Sequence, residues 1–154
     1  PVADNSGALC APNGVEPEVA RQRNCEWDPM SFHWYPRHQV LDDDHQALIH
    51  EFLESGSWYY YYDNETNSRV QVGPEEMTHT HLWLTIREHA IHCVYTLRQT
   101  HMWLDKGFDS PYHLEHTIHC TSFLEKIIKG SRNESLDAVI PVPVSYPVEI
   151  QVVS

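Results

Sequence analysis

Two five-residue segments of the chain, His89-Ala90-Ile91-His92-Cys93 and His116-Thr117-Ile118-His119-Cys120, both read HxxHC. On a helix, positions i and i+3 lie about 60° apart and i and i+4 about 40° apart, so each segment puts its histidines and its cysteine on one side. The first histidine and the cysteine of each motif also fall on an apolar stripe: Leu82, Ile86, His89, Cys93 and Leu97 in one segment, His116, Cys120, Phe123, Leu124 and Ile127 in the other. The two motifs are therefore expected to face each other across a helix pair. Buried imidazoles need a partner for each ring nitrogen, and an unsatisfied polar group costs roughly 1–3 kcal/mol. A bound metal satisfies several at once, so His89, His92, His116 and His119 are the expected metal ligands. His113 and His81 are the preferred additional ones.

Imidazole suits zinc, copper, iron and nickel. A hydrolytic zinc site would carry HExxH with the glutamate as general base, whereas the residues after the first histidines here are Ala90 and Thr117. The CxxC pairs of structural zinc are absent too. Histidines on facing helices are what copper oxidases use, and copper is the expected cofactor. Two states of Cys93 and Cys120 stay open. Oxidised, they staple the helices and close a loop of about 28 residues, worth roughly 3–4 kcal/mol through chain entropy. Reduced, they are thiolate ligands. The disulfide is the favoured state.

The elements that must hold these side chains can be read from the rest of the pattern. Residues 1–40, rich in Pro, Asn and Gly, read as an irregular arm pinned by a Cys10–Cys25 bridge, ahead of a core at 41–130 and an extended tail at 131–154. Asp42-Asp43-Asp44 caps a short helix carrying Leu48, Ile49, Phe52 and Leu53 and ending at Gly56. Trp58 to Tyr62, a turn at 63–67 and Val70-Gln71-Val72 form a β-hairpin. A long helix is expected from 75 to 105 and a second from 111 to 129, capped by Ser110-Pro111. In the tail, Pro141, Pro143 and Pro147 allow at most an edge strand or a wrapping arm. The fold class is thus mainly α with a small β-hairpin, in one domain spanning 1–154.

The 154 residues carry 10 Lys and Arg against 22 Asp and Glu, a formal net charge of −12, which speaks against nucleic acid as a partner. No apolar run approaches the ~20 residues that cross a bilayer, and the polar start has no signal-peptide character, so a soluble chain is expected. Four cysteines, with sequons at Asn64-Glu65-Thr66 and Asn133-Glu134-Ser135, favour a secretory lumen, disulfides and glycosylation at Asn64 and Asn133. In that setting a signal peptide or membrane anchor is expected ahead of Pro1.

The motif pair resembles the UstYa-like family of fungal secondary-metabolite tailoring proteins, whose hallmark is two HxxHC motifs a few tens of residues apart. Also similar to one branch of that family are the segments from Asn24-Cys25-Glu26-Trp27-Asp28-Pro29 to His33-Trp34-Tyr35-Pro36 and Trp58-Tyr59-Tyr60-Tyr61-Tyr62-Asp63. The resemblance runs from about Cys25 to Cys120. It implies a lumenal domain behind a single-pass anchor and copper-dependent oxidation of natural-product scaffolds: macrocyclisation of ribosomal peptides, hydroxylation, or chlorination of unactivated carbon. Carried over, the ligands are again His89, His92, His116 and His119. Many members follow the second motif with Leu-Arg and another Cys, whereas this chain continues Phe123-Leu124-Glu125-Lys126.

The expected function is therefore oxidative tailoring of a small-molecule or peptide natural product with O2 or a peroxide, and halide where the product is chlorinated. Trp58 and Tyr59 to Tyr62 either line a substrate pocket, serve as redox relays or, the blander and favoured reading, divide between core and surface. Arg87 and Arg98 read as solvated charges before they read as anion-steering groups. Two rival readings are a noncatalytic metal-binding accessory protein of a biosynthetic pathway and a metal-free helical interaction domain.

Overall fold

A computed structural model describes residue 10 and residues 16–65, 68–71, 73–130 and 135–142. The described residues form a mainly helical fold with two small antiparallel sheets. In chain order the elements are α1 (Pro17–Gln22), β1 (Cys25–Asp28), β2 (His33–Pro36), α2 (Arg37–Val40), α3 (Asp43–Glu54), β3 (Tyr60–Tyr61), β4 (Arg69–Val70), α4 (Pro74–His79), β5 (Leu82–Thr85), α5 (Ile86–Asp105), α6 (Leu114–Ile128) and β6 (Val139–Val142).

Residues 1–40, expected as an irregular arm, carry regular elements. Within them, β1 and β2 pair in register from Cys25 opposite Pro36 to Asp28 opposite His33, with Trp27 across from Trp34 and their rings 5.5 Å apart. Aromatic cross-strand pairs of this kind stabilise short ribbons. The Cys10–Cys25 disulfide anchors this hairpin. Met30, Phe32 and Val40 enter the main apolar cluster beside Leu48, Phe52, Leu82 and Leu84, so the arm supplies core.

The helix expected from 75 to 105 is three elements. α4 ends at His79, Leu82 to Thr85 alternate buried and half-buried as β5, and only then does α5 begin. The reason is an N-cap: the Thr85 hydroxyl accepts from the Glu88 backbone N–H at 3.1 Å and donates to the Glu88 carboxylate at 3.1 Å. Leu82, expected on the helical stripe, faces the core from a strand. The second helix also starts later than expected, with His113 rather than Ser110 at its N-cap. Ser110 instead closes a turn with Tyr112.

Other expectations hold in outline. Asp42 caps α3, its carboxylate accepting from the N–H groups of Asp44 and His45, both at 3.2 Å. Lys106, just past α5, donates to Asp42 at 3.1 Å and to Asp44 at 2.6 Å, tying the start of one helix to the end of the other. β3 and β4 form the tyrosine hairpin, shorter than expected, within a sheet ordered β4-β3-β5-β6. The tail contributes β6 as an edge strand, where Pro141 sits opposite Trp83 without interrupting a central ladder. Asn64 is exposed in the hairpin turn; Asn133 lies outside the described residues. No helix among the described residues is long and apolar enough to cross a membrane. The two disulfides fit an oxidising, secreted or lumenal setting.

Candidate metal centre

α5 presents His89, His92 and Cys93, and α6 presents His116, His119 and Cys120. The helices are stapled by the Cys93–Cys120 disulfide, with Cα atoms 5.0 Å apart and both cysteines buried. Among the described residues no cysteine is free, so the sulfurs are structural and nitrogen is the donor on offer.

Around the staple the four motif imidazoles form a closed quadrilateral. Ring centroids are 6.0 Å apart for His89–His92, 5.7 Å for His92–His116, 6.5 Å for His116–His119 and 5.4 Å for His119–His89. Nitrogens of His92 and His116 lie within 4.8 Å of each other and of the Cys120 sulfur. His92 is buried, His89 and His116 are half-buried and His119 is exposed, so the quartet grades from core to solvent.

Each ring is placed by neighbours from elsewhere in the fold. His92 Nδ1 donates to the Met30 carbonyl at 2.7 Å, which fixes the proton on that nitrogen and leaves Nε2 bare in the neutral ring. Phe32 stacks on His92 at 4.9 Å and 9°. Tyr112 stacks on His116, and Phe123 packs against His89 at 4.3 Å. Phe32 holds φ at +59°, a left-handed conformation that costs a bulky residue on the order of 1–3 kcal/mol.

Burial pushes His92 down to about 3, helped by the neighbouring His89 and His116. Burial, with His119 beside it, brings His116 to about 4. Both rings are therefore neutral near pH 7, the state in which imidazole ligates a metal without first losing a proton. Among the described residues the ligand atoms that come together are those of His92 and His116 beside the Cys120 sulfur, two neutral imidazoles on two covalently joined helices with one tautomer set by a backbone carbonyl, a donor pair of the kind that holds a transition-metal ion.

His113 and His81 are both exposed, the former at the start of α6 and the latter just before β5, and neither shares a ring contact with the quartet among the described residues. His33, by contrast, is carried to the site by β2. It lies edge-on to Tyr112 at 6.4 Å, and burial together with His116 lowers it to about 4. Nothing in its local sequence separates it from His38 or His50; the hairpin brings it there.

Arg87 pairs with Asp137 at 3.3 Å, and Arg98 pairs with Glu51 at 3.7 Å while lying over Tyr95, so both are surface charges. In the aromatic run, Trp58, Tyr60 and Tyr61 are buried and Tyr62 is exposed. Trp58 and Tyr60 help line a cavity of about 310 Å³ with Trp27, Phe52 and Met77. Its wall residue Tyr60 meets Phe32 edge-on at 5.9 Å, and Phe32 in turn covers His92, so one ring separates cavity wall from quartet. No protein-family model, curated protein or solved structure matches the chain significantly.

Proposed function

We propose that this chain is a copper-dependent oxidative tailoring protein of the UstYa-like kind, acting on a natural-product scaffold by C–H functionalisation: hydroxylation, halogenation or oxidative cyclisation. The observation that carries this reading is the closed quartet of His89, His92, His116 and His119. These residues would hold the ion. Copper at this place would supply one-electron chemistry with O2 or a peroxide.

The chain's own residues supply the rest. The α5–α6 staple fixes the register of the two motifs. Phe32, Tyr112 and Phe123 each cover a neighbouring ring, His92, His116 and His89 in turn, while exposed His119 is the member of the quartet that a substrate can approach from solvent. The cavity beside Phe32 has room for part of an apolar scaffold, and its aromatic lining favours uncharged rings. The disulfides and the exposed Asn64 support a secreted or lumenal home.

The test is copper content per chain and the EPR spectrum of the copper-loaded protein, beside a His89→Ala/His119→Ala variant. One equivalent with a signal lost in the variant supports a single-ion oxidative site. Two equivalents with a silent spectrum support a coupled pair. No copper, or copper fully retained by the variant, overturns the reading. Copper bound without O2 consumption across a panel of apolar ring compounds moves the assignment to a noncatalytic accessory protein.

A further inference from the structure

Asp28, at the end of β1, is fully buried, and its carboxylate is engaged from three directions. Within its own turn it accepts from the Met30 N–H at 3.2 Å and from the Ser31 hydroxyl. From α5 it accepts from the Gln99 side-chain amide. From α3, His45 approaches to 4.0 Å while bonded to Gln99 at 2.9 Å. Gln99 lies about two helical turns beyond His92, so the carboxylate is tied to the helix that carries the first motif.

What this carboxylate holds is the turn from Asp28 to Phe32, closed by the Phe32 N–H donating to the Asp28 carbonyl at 3.0 Å. That turn makes both contacts that define His92: the Met30 carbonyl takes the Nδ1 proton, and Phe32, in a left-handed conformation, lays its ring on the imidazole. An aromatic residue keeps such a conformation only where its surroundings over-determine it, and here the surroundings are the bonds to Asp28. A buried carboxylate is costly unless fully bonded, so a group this committed, two residues from the carbonyl that sets a candidate ligand, points to a role beyond filling space.

We propose that Asp28 is a positioning residue for His92: through the Pro29–Phe32 turn it fixes the ring as the Nδ1–H tautomer, with Nε2 the nitrogen that remains for a metal. Its purpose rests on the copper reading, but the tautomer is a property of the metal-free chain, so the two are tested apart. The first experiment is nitrogen-15 NMR of the histidine side chains in the full, metal-free chain at neutral pH, for wild type, Asp28→Ala and Asp28→Asn. Wild type is expected to show His92 in the single Nδ1–H form. Asp28→Ala is expected to show exchange between tautomers, and Asp28→Asn, which keeps an oxygen for the Met30 N–H, to recover the wild-type pattern in large part. In a copper titration Asp28→Ala should bind 10- to 100-fold more weakly, the range expected when the partner that orients a ligand is lost. If Asp28→Ala does not fold, Ser31→Ala, which removes one donor to the carboxylate, replaces it in both measurements. A folded variant with His92 still in one tautomer and unchanged copper affinity overturns the proposal. A tautomer change in a chain that binds no copper supports the positioning role and overturns the metal reading.

Discussion

The Tyr112 ring lies parallel on the His116 imidazole, 3.7 Å between centroids and 7° between planes. Tyr112 belongs to the loop between α5 and α6, and Tyr35 of β2 holds that loop by donating its hydroxyl to the Pro111 carbonyl at 2.8 Å. The stack thus couples the first hairpin to the second motif. Tyr112→Leu should lose about 1–2 kcal/mol of stability and weaken copper binding, because His116 is then free to rotate. Tyr112→Phe keeps the plate and should keep the affinity. Urea unfolding and copper titration on both variants check this; identical affinities for Leu and Phe would show that the stack plays no part in holding the ring.

Acid should destabilise the metal-free protein early. His33, His92 and His116 sit at about 4, 3 and 4 in the folded chain, against an ordinary histidine value near 6.5. Between those limits the unfolded chain takes up protons that the folded one refuses, so stability rises with pH. The contribution of the neutral rings is complete above about pH 6.5 and disappears as pH falls toward 3 to 4, a loss on the order of a few kcal/mol. Urea midpoints at pH 7.5, 6, 5 and 4 should fall steadily, and less steeply in His92→Gln. A midpoint that climbs on acidification would contradict the burial argument.

The motif pair was readable because the helical period is strict: residues three and four apart share a face, and two faces carrying the same residues had to meet. The Asp42 cap of α3 and the proline-bearing edge strand β6 were readable for similar local reasons. What escaped depends on contacts far apart in sequence. β1 and β2 are four residues each, too short for a period to declare itself, and the value of the turn between them lies in Asp28, Met30 and Phe32 meeting Gln99 and His92 on α5. His33 reaches the site by the same route, whereas His113 and His81 are near the motifs only along the chain. Thr85 with Glu88 three residues on is a local helix-start signal, but the apolar residues running through Leu82 and Leu84 conceal it.

Breaking the Cys93–Cys120 staple should cost roughly 3–4 kcal/mol through the entropy of a loop closed between cysteines 27 residues apart in sequence. Opening the Cys10–Cys25 bridge, 15 apart, should cost about 3 kcal/mol and weaken copper binding less, since that bridge reaches the quartet only indirectly, through the first hairpin. Paired serine variants at each bridge, followed by urea unfolding and copper titration, separate the two effects. Equal copper loss in both would mean that the α5–α6 staple has no special bearing on the site.

Glu88 does for the other side of the core what Asp28 does beneath His92. Almost fully buried, its carboxylate accepts from the Trp58 N–H at 2.8 Å, the Ser57 hydroxyl at 3.0 Å and the Thr85 hydroxyl at 3.1 Å. Trp58 there holds φ at +50° and donates its indole N–H to the Phe52 carbonyl at 2.9 Å, so one carboxylate both starts α5 and sets the wall of the aromatic cavity. Glu88→Ala strands several donors and should cost roughly 2–4 kcal/mol, whereas Thr85→Ala removes only the cap, at about 1 kcal/mol. Because both act through the same bonds, the double variant should cost less than the sum of the two. Glu88→Gln keeps an oxygen for the Trp58 N–H and should fall between wild type and Ala. Chemical unfolding of the four proteins decides the matter: additive costs would mean that cap and cavity wall are held independently, and a loss under about 1 kcal/mol for Glu88→Ala would mean that the strained tryptophan is held by packing alone.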